Sequence, residues 1–93
     1  MNTRDIFLRH NAQTSPAPVG LHITSAKGNY LYDVDGRAYL DLIGGISVCN
    51  MGHCHPDVVP AIQKQAGEYL HIMVYGELIQ SPQTQYAALL AAH

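Results

Sequence analysis

Residues 28–41 read Gly28-Asn29-Tyr30-Leu31-Tyr32-Asp33-Val34-Asp35-Gly36-Arg37-Ala38-Tyr39-Leu40-Asp41, and this stretch decides the fold. Side chains alternate between the two faces of an extended chain, so Tyr30, Tyr32 and Val34 share one face. Asp35-Gly36 follows, a dipeptide suited to the two central positions of a type I′ turn, where φ is positive. Ala38, Leu40 and Leu42 then share a face of the return strand. Upstream, Leu21 and Ile23 alternate with polar neighbours, and Ala26-Lys27-Gly28-Asn29 supplies another turn. The pattern predicts a three-stranded antiparallel meander over residues 19–43. A sheet this thin needs something packed on its apolar face.

On the N-terminal side, residues 3–13 read as a short amphipathic helix. Thr3 suits the N-cap, Asp5 favours the positive end of the helix dipole, and Ile6, Phe7 and His10 share a face. Pro16 and Pro18 end any helix and begin an extended connection. On the C-terminal side, Gly44-Gly45 breaks the strand pattern and Ile46–His55 reads as a loop. Pro56 opens a helix over about 56–71, with Val58, Val59, Ile62, Ala66, Tyr69 and Leu70 at spacings of three and four. Tyr75-Gly76 marks a turn. Ser81-Pro82 then supplies an N-cap and first position for a helix over 82–93. The fold class is α+β: one helix, a meander, then two helices. Leu90-Ala91-Ala92-His93 lies inside an apolar helical pattern with no glycine or polar cap, so the sequence reads as a truncated chain.

Charged residues make up 13% of the 93 residues and hydrophobic ones 47%. Soluble domains average roughly 25% charged. The shortfall points to surface covered by further protein, with a compact charge-poor monomer as the alternative. Net charge is −2, and Arg4, Arg9, Lys27, Arg37 and Lys64 are spread thinly. No basic stripe is available for phosphates, which argues against nucleic acid as a partner. No apolar run reaches the ~18 residues of a membrane span, and Met1–His10 lacks a signal-peptide core, so cytoplasm is the expected compartment.

The densest chemical cluster is Cys49-Asn50-Met51-Gly52-His53-Cys54-His55. A tetrahedral metal site takes paired ligands from two elements, whereas His53, Cys54 and His55 are contiguous, and an extended backbone points the middle one away. The structural reading is preferred: Gly52 turns the chain, His55 caps the next helix, and Cys54 is a small buried filler. No metal is expected. Asp33-Val34-Asp35-Gly36 lacks the later acidic positions of a calcium loop, and Gly44-Gly45 lacks the further glycines of a phosphate loop.

Residues 28–41 resemble the G-x-Y-L-Y-D-x-D-G-x-x-Y-L-D segment of class III aminotransferases. Gly44-Gly45-Ile46-Ser47-Val48 and Asn50-Met51-Gly52-His53-Cys54-His55-Pro56 resemble, in order and spacing, the following GI-x-V-x-N-x-GH-x-HP segment. The nearest subgroup is the acetylornithine and ornithine aminotransferases. The resemblance implies the N-terminal part of the small domain of a fold-type-I, pyridoxal-phosphate-dependent transferase, with residues 1–93 lacking the large cofactor domain. It implies a homodimer whose entrance this segment lines. Ile46 and Ser47 would lie near the substrate side chain or carboxylate, and Tyr75 would reach the substrate pocket, often the neighbouring subunit's. Core packing is the alternative for Ile46, and an ordinary interface role is the alternative for Tyr75.

The implied reaction moves an amino group from an acetylornithine-like, ornithine-like or other omega-amino donor to a 2-oxo acid such as 2-oxoglutarate, with the cofactor as electron sink. The family's cofactor lysine, pyridine-facing aspartate and carboxylate-clamping arginine correspond to positions past residue 93, and Arg37 matches a variable hairpin position. Lys27 and Lys64 are the chain's two lysines. One falls in a turn and one on the polar side of a helix, whereas a Schiff-base lysine needs desolvation or a cationic neighbour. No catalytic or cofactor-binding residue is therefore expected within residues 1–93, and the chain by itself is expected to be inactive. Its partners would be the remainder of the parent chain, a second copy and the two small substrates. The competing readings are a non-enzymatic self-association module and a Cys/His metal-binding module.

Overall fold

The computed structural model describes residues 1–93. Helix α1 (Thr3–His10) is followed by β1 (Ile23–Lys27), β2 (Tyr30–Asp33) and β3 (Ala38–Leu40), then a single helix-like turn α2 (Gly44–Ser47), α3 (Val58–Glu68) and α4 (Ser81–Ala91). The α+β order of helix, antiparallel meander and helices is thus the observed one, with strands in the order β1-β2-β3. The chain forms two compact units, residues 1–59 and residues 60–93.

In the first unit, α1 is capped one residue earlier than the sequence suggested. Asn2, not Thr3, is the N-cap: Asn2 Oδ1 accepts from the Asp5 amide at 2.9 Å, and Asp5 Oδ2 accepts from the Asn2 amide at 3.2 Å. This reciprocal capping box satisfies two backbone donors that helix geometry leaves unpaired. The helix stops at His10, three residues short of the expected 13, where Asn11 turns extended and Gln13 Nε2 donates to the Phe7 carbonyl. Regular pairing starts at Ile23 and not at 19: Gly20 is left-handed (φ 66°) with its carbonyl accepting from Arg4 Nη1 at 3.2 Å, and the His22 carbonyl accepts from Val34 N at 2.9 Å just before the strand.

The meander pairs Tyr30 with Leu40, Leu31 with Tyr39 and Tyr32 with Ala38 across β2 and β3. β1 pairs antiparallel with β2 and carries an irregularity between Ile23 and Ser25. The β2–β3 connection is not the expected type I′ turn. Only Gly36 has positive φ (81°), Gly36 N donates to the Asp33 carbonyl, and Asp33 N donates to the Arg37 carbonyl. A type I turn closed by a left-handed glycine is the three-residue alternative. The Asp33 side chain selects it, because Oδ1 accepts from the amides of both Asp35 and Arg37 at 2.9 Å. Val34 therefore sits in the turn and not on the strand face.

No hydrophobic residue in the chain is buried; the only buried residues are Asp33 and Gln80. Tyr30 and Leu40, cross-strand partners, are both exposed, and Leu42 is 86% exposed. The sheet face that the alternation marked as apolar is open. A groove of about 580 Å³ lies between α1 and the meander, lined among others by Arg4, Phe7, Leu21, Ile23, Asp33 and Tyr39.

In the second unit, α3 ends at Glu68 rather than near 71. Gly67, a poor helix former, sits in its last turn, and Gln65 Nε2 donates to the Tyr69 carbonyl just beyond. The N-cap of α4 is Gln80 and not Ser81, with Pro82 in the first turn. Gln80 is buried because its side chain is used twice: Nε2 donates to the Met73 carbonyl at 3.3 Å, and Oε1 accepts from Gln83 Nε2 at 3.2 Å.

Candidate functional site

Two of the three residues that the sequence marks for substrate, Ile46 and Ser47, share one backbone feature. Gly44, Gly45, Ile46 and Ser47 all have positive φ, 58°, 65°, 63° and 62°, so the turn winds left-handed. In an L-residue this places Cβ against the following carbonyl, at a cost of roughly 1–2 kcal/mol per residue. Glycine escapes that cost at 44 and 45, and a Cβ on Gly45 would also meet Val48 Cβ at 3.3 Å. Ile46 and Ser47 do not escape it. A β-branched residue held left-handed is a true outlier, and such outliers persist only where surrounding bonds over-determine them.

Those bonds are present. The Gly44 carbonyl accepts from Val48 N at 3.1 Å and Cys49 N at 2.9 Å, and Ile46 N donates to the Ile43 carbonyl at 3.0 Å. Upstream, Asp41 Oδ1 accepts from the Ile43 and Gly44 amides, both at 3.0 Å. Asp41 Oδ2 lies 2.6 Å from His53 Nε2. The side chains of Asp41 and His53 are only 7% and 18% exposed. The His53 hydrogen bond, with those of the Gly44 and Ile43 amides, holds the Asp41 carboxyl below its usual range, against the opposing effect of burial. Asp41 is then an acceptor only, so His53 Nε2 carries the proton between them.

His53 is itself fixed by backbone. Its amide donates to the Gly28 carbonyl at 2.8 Å, and its carbonyl accepts from Gly28 N at 2.9 Å. The Asp41 amide donates to the Asn29 carbonyl at 2.7 Å. The Gly44–Ser47 turn is therefore pinned to the β1–β2 corner through one aspartate and one histidine. The resulting surface offers an apolar side chain and a hydroxyl together, since Ile46 is 82% exposed and Ser47 is also exposed.

His55 Nδ1 accepts from Asp57 N at 3.1 Å, and its carbonyl accepts from Val58 N and Val59 N, so it caps α3 as expected. Cys54 is exposed, contrary to its reading as a buried filler, and its backbone is left-handed (φ 52°). No three His, Cys, Asp or Glu side chains converge. Tyr75 belongs to the second unit, 72% exposed on the rim of a groove of about 430 Å³ lined by Met73, Leu78, Gln80, Gln83 and Ala87.

Residues 11–93 match the family described as aminotransferase class-III. The chain belongs to the class III aminotransferases. It is 49% identical over 69 residues to the acetylornithine aminotransferase of Halalkalibacterium halodurans, an alignment covering 73% of this chain and 17% of that protein. Among solved structures, it superposes on the acetylornithine aminotransferase of Elizabethkingia anophelis with a TM-score of 0.79 at 25% identity, covering 95% of this chain and 21% of that one. The ornithine aminotransferase of Toxoplasma gondii gives a TM-score of 0.74 at 30% identity over 92% of this chain and 20% of that one. The chain spans about a fifth of the length of these relatives.

Class III aminotransferases depend on pyridoxal phosphate, and the residues of this chain do not fit its attachment. Lys64 Nζ sits 2.9 Å from Glu68 Oε1, one helical turn away, with both side chains largely in solvent. Lys27 is exposed at the end of β1. Neither lies in the desolvated setting that makes an amine a nucleophile. Sequence reading missed Asp41 and His53. Asp41 had a detectable signal, as an aspartate three residues before a glycine pair is a candidate to bond its own downstream amides. The His53 partnership had none.

Proposed function

We propose that residues 1–93 are the N-terminal small-domain segment of an aminotransferase. The enzyme would pass an amino group from an acetylornithine-like, ornithine-like or other omega-amino donor to a 2-oxo acid such as 2-oxoglutarate. Within it, this segment lines the donor entrance. Ile46 meets the aliphatic part of the donor and Ser47 offers a hydroxyl to a polar end group. Tyr75 reaches a substrate pocket, often that of a second copy in a homodimer. Pyridoxal phosphate, the electron sink of the transfer, is held by residues outside this segment, and the chain alone is inactive.

The observation that carries this reading is the exposed left-handed turn at Gly44–Ser47. Strain of this kind is retained where a side chain must be presented in one direction. The open face around Tyr30 and Leu40 supports further protein packing against the meander. The test is a chimera in which residues 11–93 replace the matched segment of the Halalkalibacterium halodurans acetylornithine aminotransferase. Turnover of N-acetylornithine with 2-oxoglutarate is expected, with Ser47→Ala and Tyr75→Phe changing KM. A folded, cofactor-loaded chimera without turnover would reject the reading.

A further inference from the structure

We propose that Asp41 and His53 are positioning residues that hold the Gly44–Ser47 turn left-handed, and so set the direction in which Ile46 and Ser47 face the amino donor. The substrate half of this statement rests on the function proposed above; the positioning half rests on geometry alone. Four left-handed residues in a row have two glycines and two residues that resist the conformation. Without external restraint, Ile46 and Ser47 would relax to negative φ and turn their side chains away from the present surface.

The restraint enters at the start of the turn. The amides of Ile43 and Gly44 point at a single oxygen, Asp41 Oδ1, at 3.0 Å each, which fixes the peptide planes leading into Gly44. Asp41 can hold that oxygen in place only if its own side chain cannot rotate. Its second oxygen is secured by His53 Nε2 at 2.6 Å, and His53 is anchored by two backbone bonds to Gly28 of 2.8 and 2.9 Å. The chain of restraint runs from the β1–β2 corner through His53 and Asp41 to the turn. Both side chains are mostly shielded, so water competes poorly for these bonds. Neither residue contacts the donor in this arrangement; each acts through the backbone of the turn.

The pair also predicts which replacements are tolerated. Glutamine at 53 can offer an amide N–H near the place of Nε2, whereas alanine offers nothing. Alanine at 41 removes both acceptor oxygens. His53→Gln should therefore behave nearly like the unaltered chain, while His53→Ala and Asp41→Ala should release the turn.

The test has two arms. In the 93-residue chain, nuclear magnetic resonance reads φ at Ile46 and Ser47 from backbone couplings, and hydrogen exchange at the Ile43 and Gly44 amides. The Asp35 and Arg37 amides of the neighbouring hairpin report that the meander stays folded. In the chimeric holoenzyme described above, the same variants are assayed for KM of the amino donor and for kcat. Asp41→Ala and His53→Ala are expected to lose positive φ at Ile46 and Ser47 and to speed exchange at Ile43 and Gly44 by tenfold or more. They should raise donor KM at least as much as Ser47→Ala does, with kcat changed far less, and His53→Gln should restore both readouts. Retention of positive φ at Ile46 and Ser47 in Asp41→Ala overturns the positioning role. Release of the turn with donor KM unchanged, in these variants and in Ser47→Ala alike, overturns the substrate-facing role and leaves the restraint itself standing.

Discussion

Tyr39 donates its hydroxyl to Asp33 Oδ2 across 2.7 Å, tying β3 to the end of β2 beside the turn that joins them. The other carboxylate oxygen of Asp33 already holds the Asp35 and Arg37 amides. Asp33 thus uses both oxygens to shape one hairpin, and it is the only buried charged residue in the chain. The Tyr39 hydrogen bond chiefly lowers the Asp33 carboxyl below its usual range, with the two amides adding to it and burial opposing.

Acid should therefore loosen the first unit at two defined places. Asp33 and Asp41 both have folded-state values below that of an unfolded aspartate. Their contribution is fully present above the unfolded value of about 4 and is lost as pH falls through the lower folded value. Exchange protection at the Asp35, Arg37, Ile43 and Gly44 amides is expected to fall together below about pH 4. Protection that stays constant through that range would contradict the assignment.

At the alkaline end the sign reverses. The Asp33 hydrogen bond, then burial and the Asp33 charge, raise the Tyr39 phenol above its usual value. Its contribution is present below about 10 and disappears as pH rises through the raised value. The Tyr39 phenolate should therefore appear late in an ultraviolet titration, and Tyr39→Phe should remove that late component. Superimposable late components in the two proteins would count against the pairing.

Backbone conformation makes opposite demands at Gly36 and Ile46. Gly36→Ala forces a Cβ into left-handed backbone and should destabilise the chain by about 1 kcal/mol or more. Ile46→Gly removes such a Cβ from an exposed site, where little burial is lost. It should leave stability unchanged or raise it by less than about 1 kcal/mol, since glycine also gains freedom when unfolded. Thermal melts separate the two, and a drop of more than about 4 °C in Ile46→Gly would show that the turn is not strained.

The cap of α1 offers a sharper comparison between neighbours. Asn2→Ala breaks the capping box and should cost about 1 kcal/mol of helix stability. Thr3→Ala, one residue on, should be close to neutral because Thr3 makes no capping bond. Circular dichroism at matched temperatures reads both. Equal losses in the two variants would return the cap to Thr3.

Elements set by local pattern were legible in the sequence. The alternation of Tyr30, Tyr32, Ala38 and Leu40 placed β2 and β3, and Pro56 and Pro82 marked the starts of two helices to within two residues. The departures arise where a side chain reached past its neighbours. Asp35-Gly36 suggested a two-residue turn by local preference, but the Asp33 carboxylate captured two amides and imposed a longer one. Alternation marked an apolar face for burial, and that face is open, as a sequence period carries no information about what covers it. Ile46 and Ser47 were marked through resemblance. Their left-handed backbone could not be anticipated, since nothing in an isoleucine's chemistry favours positive φ. The link between Asp41 and His53 spans 12 residues and becomes visible only once the chain is folded.

The most direct test of this segment's role is a transaminase assay of the purified 93-residue chain. It is run first alone with pyridoxal phosphate, N-acetylornithine and 2-oxoglutarate, then with the cofactor-bearing remainder of an acetylornithine aminotransferase added. No turnover is expected from the chain alone, and turnover should appear on addition of a remainder that is inactive by itself. Amino transfer by the 93 residues unaided would contradict the assignment of Lys27 and Lys64 as surface lysines, and with it the division of labour proposed here.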